Sequence, residues 1–213
     1  MTADEYAEPE NWHGSYYELS LEFSPRTSEA ELLKALSLVW EQPEFVGPWV
    51  ERSGFGGSPD AIVLREHQNP YHGVLRAADG SELGCLTFLI REDGGRSWLD
   101  ISIPTGMIWL RYPAQYPIDL ANDPAVAMLD QQLALIAARI YDEVPFVLGL
   151  LGEEASGADS AETLTKQRCE WGGYVVPAEL WAKLAPERAP NRLGEKLVYA
   201  PLLGPHIAFG PVE

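Results

Sequence analysis

Cysteine is nearly absent. Cys85 and Cys169 are the two in 213 residues, far apart and in no C-x-x-C pair. A small secreted fold held by disulfides carries more, so both are expected as reduced thiols, Cys85 inside a strand. Long apolar runs are missing too. The longest, Val144 to Leu151, falls far short of the roughly 20 residues that cross a bilayer. The opening segment, Met1 to Glu10, is acidic and lacks the apolar core of a secretory signal. The expected location is the cytoplasm. Basic residues are scarce, with 15 Lys and Arg against 32 Asp and Glu, a formal net charge of −17. That field repels nucleic acid and anionic membrane surfaces. It favours a basic protein as partner, although acidity also serves solubility alone.

Local catalytic signatures are absent as well. The chain has no G-x-x-x-x-G-K-[ST], no H-E-x-x-H and no G-x-S-x-G. Gly54-Phe55-Gly56-Gly57-Ser58 resembles an anion-binding nest, but Pro59 follows where a helix is needed, so it reads as a loop. Four histidines, His13, His67, His72 and His206, are scattered. His67 and His72 flank a turn, yet no cysteine lies near to complete a zinc set. Neither metal nor cofactor is expected.

What is present is a core. Apolar residues make up 46% of the chain, enough for one domain of this length. Residues 1–11 read as a loose acidic arm and 12–213 as a single domain. Tyr16 to Phe23 alternates strictly, which predicts a strand with Glu18 and Glu22 on a wet face. Ser28 and Glu31 form a capping box, and a helix with Leu32, Leu36, Val39 and Trp40 on one stripe follows, stopping before Pro43. Residues 43–60 read as a loop and Ala61 to Arg65 as a strand. Hairpin signals then join Tyr71–Arg76, Leu83–Arg91, Trp98–Ile103 and Met107–Tyr112. Asp123-Pro124 opens the clearest helix, its stripe running through Val126, Leu129, Leu133, Ile136 and Ile140. Phe146–Leu151 is a short apolar strand and residues 152–157 a loop. Asp159 and Glu162 mark a short helix reaching Arg168. Tyr174–Val176 is a strand, and Pro177 opens a helix with Leu180, Trp181 and Leu184. Leu197–Tyr199 and His206–Phe209 read as terminal strands. The class implied is α+β: a mainly antiparallel sheet, a hairpin meander in its middle, with helices packed on one face.

Three groups of residues are candidates for function. Glu153 and Glu154 sit in a Gly-flanked loop after a buried strand, where two repelling carboxylates suit acid–base work; the plainer reading is a solvated loop tip. Trp98 and Trp109, expected on adjacent paired strands, could anchor a partner, since Trp dominates interface energetics, or else pack in the core. Glu18 and Glu22 supply acidic binding surface if their face is wet. Cys169 lacks the basic neighbours that a nucleophilic thiol needs. The function expected is therefore an acidic protein-binding module, such as an adaptor, inhibitor or immunity-type protein, with a basic partner. The alternative is a metal-independent hydrolase or transferase using Glu153 or Glu154 with a histidine brought near by folding.

Overall fold

The middle of the molecule is strand β1 (Tyr16–Phe23). Its period-two sequence puts Tyr17, Leu19, Leu21 and Phe23 on one face, and all four are fully buried. In the computed structural model, which describes residues 1–63, 70–92, 95–114 and 116–203, β1 lies between β5 (Ser97–Pro104) and β6 (Leu148–Glu153), antiparallel to both. Leu19 faces Ile101 on one side and Leu151 on the other. Beyond β5 come β4 (Glu82–Arg91), β3 (Tyr71–Arg76) and the edge strand β2 (Phe45–Trp49). Beyond β6 come β7 (Gly173–Pro177), β9 (Leu197–Ala200) and the edge strand β8 (Asn191–Leu193). The nine described strands form one antiparallel sheet, and the class is α+β, as the hairpin signals imply.

One face of the sheet carries two amphipathic helices. Helix α2 (Glu29–Trp40) starts at the Ser28–Glu31 capping box and buries Leu32, Leu36, Val39 and Trp40. Helix α4 (Pro124–Glu143) buries Val126, Leu129, Leu133, Ile136 and Ile140. Both stripes share a core with Leu19, Leu21, Leu99 and Ile101. Asp130 of α4 is buried in that layer. It accepts a hydrogen bond from the Tyr17 hydroxyl at 2.6 Å and another from the Tyr199 hydroxyl, tying α4 to β1 and β9. Burial pushes the Asp130 carboxyl up to about 6.

The intervening strand residues face the other way and are covered around β1, β6 and β7, whereas Ile90 on β4 is 38% exposed. At one end, Leu148, Leu150, Val176 and Val198 pack with Trp181 of α6 (Ala178–Leu184). Helices α2 and α4 thus share one apolar core and α6 packs in another, so the helices are not all in a single layer. At the other end, Tyr6, Trp49 and Val74 form a third apolar cluster.

Several local expectations are corrected. Residues 1–11 hold helix α1 (Ala3–Ala7), capped by Thr2 and Glu5, then a 3-10 turn over Pro9–Trp12. Tyr6 anchors the segment: it is fully buried, stacked on Phe55 at 4.4 Å and edge-on to Trp12 at 5.0 Å. Within 43–60, Phe45–Trp49 pairs with β3. Gly47 and Pro48 disguise it in sequence, yet an edge strand tolerates a proline because one row of N–H groups has no partner anyway. Residues 105–111 form helix α3 (Thr105–Arg111) instead of a strand. Met107 and Ile108 are both buried while Trp109 is exposed, which is helical rather than alternating burial. Gly106 permits the packing, since a Cβ there would lie 2.8 and 2.9 Å from the Asn11 and Glu10 carbonyl oxygens. The short helix after Asp159 is α5 (Lys166–Cys169), capped by Thr165. Asp159 instead accepts hydrogen bonds from Arg168 at 2.5 Å and Tyr174 at 2.8 Å. Residues 61–63 are not in a strand. Leu64, Arg65, His67 and the expected strand His206–Phe209 lie outside the described residues. Cys85 and Cys169 are free and buried. No helix among the described residues is long and apolar enough to cross a membrane.

Candidate functional site

The second face of β1 carries Glu18, Ser20 and Glu22, and the neighbouring face of β5 carries Asp100 and Ser102. Ser20 sits opposite Asp100 and Glu18 opposite Ser102, so the two carboxylates are diagonal neighbours on one surface. The wet face expected here does not exist. Glu18 is 7% exposed, Glu22 2% and Asp100 3%. The segment that follows β6, residues 154–165, runs over them as a strap.

Hydrogen bonds fix that strap. The Ser156 N–H donates to Glu18 Oε2 at 2.9 Å, and the Ser156 hydroxyl donates to Asp100 Oδ2 at 3.1 Å. The remaining oxygens take bonds from within the sheet: the Ser102 hydroxyl to Glu18 Oε1 at 3.0 Å, and the Ser20 hydroxyl to Asp100 Oδ1. Farther along, the Ala161 N–H donates to Glu22 Oε2 at 2.6 Å. No cation is paired with Glu18 or Asp100 among the described residues. Burial, with Asp100 close by, pushes the Glu18 carboxyl up to about 7 against the opposing pull of its donors. Burial raises Asp100 and Glu22 as well.

At the end of β1 the two sequence-flagged glutamates part company. Glu153 closes β6 and is 3% exposed; one oxygen accepts from the Ser15 hydroxyl, and the other has no partner among the described residues. Glu154 is exposed, with a left-handed backbone (φ 50°), and its carboxylate accepts the Tyr16 N–H at 3.1 Å. Helix α3 is stitched to the same place: Thr105 N–H donates to the Ser15 carbonyl at 2.9 Å and Gly106 N–H to the His13 carbonyl at 3.1 Å. Trp109, one turn on, is 45% exposed and passes beside Gly14. Glu8 and Glu10 are exposed on the adjoining segment. Folding thus brings Trp109 beside Gly14, the Glu10 carbonyl beside Gly106 of α3, and Glu154 onto the Tyr16 N–H.

No protein-family model, curated protein or solved structure matches the chain.

The other candidates fall elsewhere. Trp98 is 5% exposed, packs in the second-face core and donates to Glu92 at 3.1 Å. Lying on β5, it does not share a paired strand with Trp109. No histidine is bonded to Glu153 or Glu154 among the described residues; His72 is stacked edge-on to Trp12 at 5.7 Å. A groove of about 600 Å³ lies between α4 and the β8–β9 hairpin, lined by Leu135, Arg139, Leu193 and Lys196, and neither glutamate reaches it. Among the described residues no group of three or more His, Cys, Asp or Glu is placed to hold a metal. Sequence reasoning missed Asp100, Ser156 and Asp130 as partners. Alternation puts Asp100 on one face of its strand and Glu18 on one face of its own, but the register that makes them neighbours and the segment that covers them are set by tertiary structure.

Proposed function

We propose that the chain is a cytoplasmic protein-binding module, of adaptor, inhibitor or immunity type, that docks a basic partner at the end of β1. The observation carrying this reading is Trp109, 45% exposed beside Gly14, with exposed Glu8 and Glu10 on the segment before Gly14 and exposed Glu154 bonded to the Tyr16 N–H after it. An indole left in water gains much by being covered, and Trp is enriched, with Tyr and Arg, at the energetic centre of interfaces. Carboxylates around it supply charge complementary to Lys and Arg, which speeds encounter and rejects acidic competitors. The wider surplus of acids acts in the same direction at longer range. Two unbridged thiols, Cys85 and Cys169, support a reducing compartment.

Capture from native lysate with the immobilised chain supplies the partner, and variants test the site. Trp109→Ala is expected to weaken binding of a captured basic protein by roughly 30-fold, the size of a hot-spot loss. The double variant Glu10→Gln/Glu154→Gln should mainly slow association. Glu143→Gln, on the far end of α4, should change neither. Unaltered affinity in the Trp109→Ala protein contradicts the reading, as does turnover of a small substrate that Glu153→Gln abolishes.

A further inference from the structure

We infer that the outer side of α4 is where a second copy of this chain docks, helix against helix and antiparallel, with each copy covering the other's groove beside the β8–β9 hairpin. Met128, Gln131, Leu135, Ala138 and Asp142 recur at alternating spacings of three and four, so they share one side of the helix at coiled-coil spacing. Met128 is 46% exposed and Leu135 48%, while Leu129, Leu133 and Ile136 point into the core. From Pro124 to Ala138 the one charged side chain is Asp130, and it is buried. About four turns of helix therefore present an uncharged face to water, in a chain whose residues are 22% charged and whose net charge is −17. A net charge of that size keeps like copies apart, and an uncharged face is where their repulsion is weakest.

The two ends of the helix make that face self-complementary. Beside its C-terminal half lies the groove of about 600 Å³, where Arg139, Arg192 and Lys196 outnumber the acids Asp142 and Glu195. Arg139 gives one nitrogen to Glu44, and Arg192 and Lys196 have no ion-pair partner among the described residues. The N-terminal end carries the opposite sign: Asp119 and Asp123 precede Pro124, and no cation is paired with either among the described residues. A two-fold axis between positions 131 and 132 sets Met128 of one copy against Leu135 of the second copy, at the edge of the groove. The same axis brings Asp123 and Pro124 to Arg139 of the second copy, and repeats both contacts by symmetry. A parallel pair would instead set Arg139 against Arg139 and groove against groove, so charge selects the antiparallel arrangement. The surface is separate from Trp109, which lies on α3, and it stands whether or not a basic partner docks there.

Sedimentation equilibrium of the full chain tests it, at about 0.5 M salt so that repulsion between the two net charges is screened. One helix face and one groove make a small interface, so a monomer–dimer equilibrium is expected between about 10 and 200 µM chain. Leu135→Glu and Met128→Glu should each shift it about tenfold or more toward monomer, with near-UV circular dichroism unchanged because both side chains are exposed. Cross-linking with a short bis-maleimide reads the arrangement. Gln131→Cys, beside the axis, should give a covalent dimer. Asp142→Cys should not, because the antiparallel pair holds the two copies of that position roughly 30 Å apart. The wild-type chain, whose Cys85 and Cys169 are buried, is the control. Should a glutamate variant disturb the fold, the two cysteine variants decide. A chain that stays monomeric across that concentration range overturns the proposal. So does a dimer that both glutamate variants leave intact, one that Gln131→Cys fails to link, or one that Asp142→Cys links as readily.

Discussion

At the residue scale, the molecule is unusual in how it stores negative charge. Glu18, Glu22, Asp100, Asp130, Glu153 and Asp159 are all buried, and only Asp159 has an ion-pair partner among the described residues. Glu18 makes the energetic consequence plain. Its carboxyl is raised to about 7 in the folded chain, above its ordinary unfolded value, so the stabilisation tied to its proton is complete below about pH 4.5 and lost as pH rises through about 7. Glu18→Gln, neutral at every pH, is expected to be more stable than wild type at pH 8, by about 1–3 kcal/mol, and close to it at pH 4.5. Urea denaturation at the two pH values checks this; equal differences at both would show that the charge plays no part. Asp130 answers to a different test. Among the described residues its two tyrosine donors have no other acceptor, so Asp130→Ala should cost about 2–4 kcal/mol by orphaning buried hydroxyls and opening a small void. Tyr199→Phe, which removes one donor only, should cost less. A calorimetric melt of each variant measures both.

At the element scale, what could be read from the chain depended on how local each signal was. Helix α4 announces itself by Asp123-Pro124 and a stripe of seven apolar positions, and Leu133 in the middle of that stripe is fully buried. Leu133→Asp should therefore prevent folding, since an unpaired buried carboxylate costs several kcal/mol, comparable with the whole stability of a domain. A folded variant with unchanged melting temperature would mean that the stripe does not face the core. The hairpin β3–β4 is equally legible, because Asp79-Gly80 supplies the turn and Gly80 adopts φ 87°. Helix α3 and strand β2 were not legible, because tertiary contacts decide them. The run Met107-Ile108-Trp109-Leu110 fits either period, and Gly106 becomes helical against the carbonyls of Glu10 and Asn11, ninety-odd positions away. The same limit governs the site. Glu153 and Glu154 could be flagged from their place after β6, but which of them is buried depends on Ser15 and Tyr16 at the far end of the chain. Glu18 and Glu22 were assigned to water because alternation reports two faces and cannot report a strap that crosses one of them.

At the scale of the whole molecule, the surface acids and the buried thiols set the expected behaviour. Cys85 and Cys169 are both free and buried, and burial pushes the Cys169 thiol up to about 11. Alkylation after denaturation without reductant should therefore label both, whereas an intact bridge would contradict the proposed reducing compartment. In the proposed function, a net charge of −17 works together with Trp109 to capture a basic partner. Charge complementarity acts chiefly on encounter, and the screening length shrinks from about 10 Å at 0.1 M salt to about 3 Å at 1 M. The measurement that tests this most directly is the association rate of the captured partner as ionic strength is raised, for the wild-type chain and for Glu10→Gln/Glu154→Gln. The account predicts that kon for the wild type falls by roughly tenfold or more over that range, that koff changes little, and that the double variant shows a shallower slope. A kon independent of salt, or identical slopes for the two proteins, would contradict it.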